Sequence, residues 1–107
     1  MYLVYITFPD KVSAVELAEK LLWKNLIACA NLYEGAVSIY KWEGNVKQSK
    51  EFTLICKTSG GSVEEVIKQV EEVHPYSCPC VVAVKVAQSN QKFIDWVEEC
   101  CTGEISE

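Results

Sequence analysis

The groups best suited to chemistry in this chain are crowded into one short stretch. His74-Pro75-Tyr76-Ser77-Cys78-Pro79-Cys80 places an imidazole and two thiols within seven residues. Imidazole and thiolate suit copper or zinc, and thiolate favours Cu(I) in particular. A Cys-x-Cys unit with one nearby histidine is a looser pattern than the paired Cys-x₂₋₄-Cys units of structural zinc sites. His74 also has a plain structural reading. It closes a helical pattern directly before Pro75, where the helix dipole favours a cation and a ring N–H can satisfy a loose carbonyl.

The other cysteines of the six read as packing. Cys29 and Cys56 lie in the apolar runs Ile27-Ala28-Cys29-Ala30 and Leu54-Ile55-Cys56, where a free thiol behaves as a small hydrophobe. Cys100 and Cys101 are adjacent near the end of a helix and are poorly placed to bridge each other. In a secreted protein of this length six cysteines would suggest a disulfide framework. Intracellular hyperthermophile proteins also carry bridges, so cysteine number alone leaves the redox state open.

The inventory for catalysis is thin. A nucleophile needs a base within reach and a third group to orient it. His74 is the only histidine, and neither a Gly-x-Ser-x-Gly elbow nor a phosphate loop occurs. Gly60-Gly61-Ser62 ahead of a helix could hold an anion but reads mainly as a turn. The expectation is a protein that is not an enzyme.

Charge narrows the partners. The net charge is −5, with ten cationic residues against fifteen carboxylates, and every cation is a lysine. Without arginine the chain lacks the forked donor used for bidentate phosphate and guanine recognition, so no nucleic-acid partner is expected. No segment approaches the roughly 20 apolar residues that span a bilayer, so no membrane partner is expected either. Met1 to Phe8 is apolar but has no basic leader, and Pro9-Asp10 ends it too early for a secretory signal. The expected location is the cytoplasm.

The elements that must position these groups follow from periodicity. Tyr2 to Phe8 is rich in β-branched and aromatic residues and stops at Pro9-Asp10, a buried strand. Ala14, Leu17, Ala18, Leu21 and Leu22 form the stripe of an amphipathic helix. Ser13 with Glu16 has the form of a capping box, and Asp10 is a second candidate cap. Strand pattern returns from Ile27 to Tyr33, bends at Glu34-Gly35, and resumes from Ala36 to Trp42. The turn Glu43-Gly44-Asn45 sends the chain back through Val46 to Lys57.

Ser62 with Glu65 offers another capping box, opening a helix with Val63, Val66, Ile67, Val70 and Val73 on one face. Pro75 ends it. Val81 to Val86 reads as a strand buried on both faces or central in a sheet. Ser89 is the candidate cap of a last helix bearing Phe93, Ile94, Trp96, Val97 and Cys100. The order predicts the α+β class: a ferredoxin-like βαββαβ sandwich with an extended β-hairpin and a C-terminal helix, one domain over residues 1–107.

The hairpin stands out. Val46 to Lys57 would span roughly 40 Å at about 3.3 Å per residue. An arm bearing Val37, Ile39, Tyr40, Trp42, Val46 and Phe52 is too apolar, and its edges too open, to stand alone in water. Closed symmetric association removes both problems. The alternative is a hairpin curled over its own sheet. Trp42 at the tip reads as interface or pocket wall.

The phrases Val4-Tyr5-x-Thr7-x-Pro9-Asp10, Leu26-Ile27-Ala28-Cys29-Ala30-Asn31, Tyr40-x-Trp42-Glu43-Gly44, Lys57-Thr58 and His74-Pro75-Tyr76-x-x-Pro79 occur in that order. Together they resemble the CutA family of divalent-cation tolerance proteins across nearly the whole chain. The resemblance implies a homotrimer with hairpins pairing between subunits, similar in architecture to PII signalling proteins. It also implies a divalent metal ion as partner, copper above all. On that resemblance Cys29 and His74 fall on metal-associated positions. Cys80 lies near a position where some relatives carry an acidic ligand, and Ile6 stands where some carry a cysteine. A second expectation is a PII-like sensor that holds a small metabolite or nucleotide between subunits, with Trp42, Lys57 and Tyr76 lining the pocket and no organic cofactor.

Overall fold

The structure, a computed structural model, describes residues 1–102. In chain order the elements are β1 (Tyr2–Phe8), α1 (Lys11–Trp23), β2 (Cys29–Trp42), β3 (Asn45–Thr58), α2 (Val63–Val73), β4 (Val81–Lys85) and α3 (Gln91–Cys100). The strands form one antiparallel-paired sheet in the order β2-β3-β1-β4. That is the split βαβ arrangement expected of the α+β, ferredoxin-like class.

Strand alternation sorts the sheet into two faces. Val4, Ile6 and Phe8 of β1, with Leu54 and Cys56 of β3, point to the helical side. There they meet Ala14, Leu17 and Leu21 of α1 and Val63, Val66 and Val70 of α2. A smaller cluster joins Val97 of α3 to Ala28 and Cys101. The opposite face carries Tyr5, Tyr33, Val82 and Val84, all exposed in the chain. No helix among the described residues is long and apolar enough to cross a membrane.

Three local expectations are corrected. Helix α1 starts at Lys11, and its cap is Asp10, whose carboxylate accepts from the Ser13 amide at 2.7 Å and the Ser13 hydroxyl at 2.8 Å. Ser13 is thus already in the first turn and cannot open a capping box. Ser62 is the N-cap of α2 but makes no side-chain capping bond. A preceding turn turns the Ser62 and Val63 amides onto the Ser59 carbonyl instead. Asn90, rather than Ser89, occupies the N-cap position of α3, and its side chain makes no capping bond either.

β4 is also not a central strand. It pairs only with β1, so Val81 and Ala83 reach the core while Val82 and Val84 stay on the open face. A run of valines is equally compatible with an edge strand whose outer face awaits a cover.

β2 and β3 run on beyond the body of the sheet as the expected ribbon. The radius of gyration is 14.6 Å, above the about 13 Å typical of a compact chain near this length. Between Tyr33 and Ala36 the β2 register shifts by one residue against β3, a bulge at Glu34-Gly35 with Gly35 at φ 92°. Trp42 pairs with Asn45, and the two turn residues Glu43 and Gly44 sit at φ 49° and 81°. Two positive φ values match the right-handed strand twist in a tight hairpin. Gly44→Ala meets no steric neighbour, only backbone strain. It is expected to cost about 1 kcal/mol, read as a lower urea midpoint beside Glu43→Asn, which should be neutral or stabilising.

Candidate functional site

His74 ends α2 and turns back over the last residue of β1, stacking on Phe8 with ring centroids 4.6 Å apart. It is buried. Its Nε2 lies 2.7 Å from the Thr7 carbonyl oxygen, and its Nδ1 accepts from the Tyr76 amide at 3.1 Å. Because Nδ1 accepts, the proton sits on Nε2 and is donated to Thr7. Both ring nitrogens are therefore committed to backbone, and the loose carbonyl satisfied belongs to a strand, not to α2.

That ring fixes the path of the following loop. Tyr76 comes to lie beside the base of the hairpin and donates its hydroxyl to Glu51 Oε2 at 3.0 Å. Glu51 is buried for a carboxylate, at 8 % exposure. Partial burial, and then the neighbouring Glu51 carboxylate, push the Tyr76 phenol up to about 12. Along the ribbon, Tyr40 and Ser49 share a hydrogen bond at 2.8 Å.

Between loop and ribbon lies a groove of about 900 Å³ on the open face of the sheet. Tyr40, Trp42 and Lys47 form its ribbon wall, Tyr5 and Thr7 its floor, and Tyr76, Cys78 and Cys80 its loop wall. The bulge decides this arrangement. Beyond it Tyr40 and Trp42 share the face of Lys47, Ser49 and Glu51, and without the extra residue Val37, Ile39 and Lys41 would face the groove.

Of the expected ligand set, His74 and Cys80 stand on the same loop, but Cys29 does not join them within the chain. Cys29 pairs with Lys57, four residues along β3 from the Thr53 that pairs with Thr7, or about 13 Å away. Lys57 is equally remote, so of the expected pocket residues only Trp42 and Tyr76 line the groove. Among the described residues, no three His, Cys, Asp or Glu side chains gather to hold a metal ion. Sequence reasoning missed Glu51, Tyr5 and Lys47. Alternation along Val46–Lys57 could have placed Lys47 and Glu51 on one face, but only the pairing register shows which face meets the loop.

All six cysteines are free. Cys56 is fully buried, and burial above all pushes its thiol from 9.0 up to about 12, with Lys57 pulling the other way. A thiol whose folded pKa is raised contributes stability that is complete below its unfolded value and is lost as pH rises through the folded one. Tyr76 acts in the same direction. Unfolding free energy is thus expected to hold steady up to about pH 9 and to fall between about 9 and 12. Urea melts across that window test it, and Cys56→Ala should flatten the fall. A thiol reagent should reach Cys56 only on unfolding.

Comparison with known proteins agrees with this architecture. Residues 2–100 match the family described as CutA1 divalent ion tolerance protein. The chain is 39 % identical over 99 residues to the divalent-cation tolerance protein CutA of Pyrococcus horikoshii, covering 92 % of this chain and 96 % of the relative. It is 38 % identical over 99 residues to that of Thermotoga maritima, covering 92 % and 97 %. The crystal structure of divalent ion tolerance protein CutA1 from Ehrlichia chaffeensis superposes with a TM-score of 0.91 at 33 % identity, covering 94 % of each chain. With the sheet order, the projecting ribbon and the His-Pro-Tyr loop all in place, the chain belongs to the CutA1 divalent ion tolerance family.

Proposed function

We propose that the protein acts as a non-enzymatic homotrimer in tolerance of divalent metal ions, copper in particular, within the cytoplasm. The observation that carries the assembly is the open face. Tyr5, Val82 and Val84 of the sheet continue onto Tyr40 and Trp42 of the ribbon, whose other face bears Val37, Ile39 and Val46, and all are exposed in a single chain. A surface of that extent calls for a cover, and β4 and β2 each offer an unpaired edge beside it. A closed ring of like subunits satisfies both needs.

The family supports the metal role, and the loop from His74 to Cys80 supplies nitrogen and sulfur donors that suit copper rather than magnesium or calcium. Of the expected ligand set, Cys80 is the uncommitted donor within one chain, His74 would join only by releasing a backbone partner, and Cys29 only from a neighbouring subunit. The engagement of both His74 nitrogens supports a protein that is not an enzyme, since the only histidine is not a free base. Six free thiols are in keeping with the reducing cytoplasm.

Light scattering and metal titration together test the reading. The expected particle has roughly three times the 12.0 kDa chain mass, and binds copper more tightly than magnesium or calcium. A folded monomer, or a trimer that takes magnesium as readily as copper, overturns it.

A second reading rests on the groove: a PII-like sensor that binds a small metabolite or nucleotide against Trp42 and Tyr76. Aromatic walls with one lysine and one carboxylate are the usual furnishing of a small-molecule site. Calorimetry against a nucleotide panel separates the two, because heat with nucleotide and none with copper selects the sensor.

A further inference from the structure

We propose that Cys78 and Cys80 form a two-thiolate capture site for Cu(I), with His74 left out of the coordination. The proposal rests on the metal-tolerance reading above and assigns its ligands. Both thiols are exposed and line the same groove wall. Neither has a hydrogen-bond or ionic partner among the described residues, so neither must break a contact to bind.

The loop that carries them is held at its root. His74 is pinned from Nε2 to Thr7 and from Nδ1 to the Tyr76 amide, and the Tyr76 hydroxyl is tied to Glu51. Pro75 and Pro79 fix φ on the way, and Pro79 keeps Cys78 extended. The two thiols are therefore presented by a segment with little freedom to lose, which favours chelation over two independent contacts.

The donor count selects the ion. Zinc in a structural site takes four protein donors, and the candidates for a third and fourth here are already spent. His74 would have to give up the Thr7 carbonyl or the Tyr76 amide, and Glu51 the Tyr76 hydroxyl. Cu(I) is the soft ion that two thiolates alone satisfy. It binds as the reduced ion: each thiol releases one proton, two sulfur–copper bonds form, and the pair with its metal carries one negative charge. No electron moves. The balance predicts proton release on binding and weaker binding at lower pH.

The test is an anaerobic competition titration of the intact, reduced protein with Cu(I), held by the chelator bathocuproine disulfonate. Wild type is compared with Cys78→Ser, Cys80→Ser, the double variant and Cys100→Ser. Both loop thiols are exposed, so unchanged melting should accompany the loop variants. Each single loop variant is expected to lose about a hundredfold or more in affinity, because a hydroxyl is a poor donor to Cu(I). The ultraviolet copper–thiolate band should vanish in the double variant and persist in Cys100→Ser. Unchanged Cu(I) affinity in the double variant overturns the assignment while leaving the metal-tolerance reading standing. Failure of wild type to hold copper above magnesium removes both.

Discussion

His74→Ala is expected to lower the unfolding free energy of the metal-free protein by about 3 kcal/mol. The substitution leaves the Thr7 carbonyl and the Tyr76 amide without their partners and empties the space against Phe8. An orphaned buried polar group costs about 1–3 kcal/mol, and the lost ring adds a cavity term. His74→Gln keeps an N–H donor near the Nε2 position and should recover about 1 kcal/mol. Urea melts at one protein concentration measure these differences, since the proposed assembly would make the midpoint concentration-dependent. An unchanged midpoint in His74→Ala would show that neither bond matters, and would return the imidazole to the pool of free metal ligands. The experiment also guards a copper measurement: a copper deficit in His74→Ala is informative only beside its stability.

Trp42→Ala is expected to weaken assembly by about 2 kcal/mol or more. Trp42 is 58 % exposed in the single chain although it lies at the end of a ribbon rich in apolar groups. In the proposed ring a large aromatic at that place would anchor a neighbouring subunit, and truncating such an anchor typically removes a disproportionate share of interface energy. Val84→Asp, on the open face of β4, should have a comparable effect by placing a charge where a cover is expected. Sedimentation velocity over a dilution series reads both. The expected result is dissociation at higher concentration than wild type with the circular dichroism of the chain retained. An unmoved dissociation profile for both variants would leave the open face uncovered and remove the argument for a ring of subunits.

The legibility of the chain divides along local and non-local lines. The stripe Ala14, Leu17, Leu21 became the buried face of α1, and Val63, Val66 and Val70 that of α2, because a 3.6-residue period is a property of neighbours in sequence. Gly44 marked the hairpin turn and Gly35 the bend, since each supplies a positive φ that most residues resist. Capping was less legible. Asp10, Ser13, Ser62, Ser89 and Asn90 all have capping chemistry, and the choice among them depends on where the first helical residue falls, which a one-residue shift changes.

The sequence by itself determined the order of elements, the hairpin, the family and the stretch of chain where thiols and imidazole concentrate. Tertiary structure alone decided what those groups do. The bond from His74 to Thr7 joins residues 67 positions apart, and that from Tyr76 to Glu51 joins residues 25 apart. Neither partner is marked by any local pattern. The same holds for Cys29, whose distance from the loop follows from its pairing with Lys57. It holds too for the bulge that turns Tyr40 and Trp42 toward the groove. Side-chain period is a short-range consequence of backbone geometry. Register and long-range partners are settled only when helices and strands pack, because a slip of one residue exchanges the two faces of a strand without altering its composition.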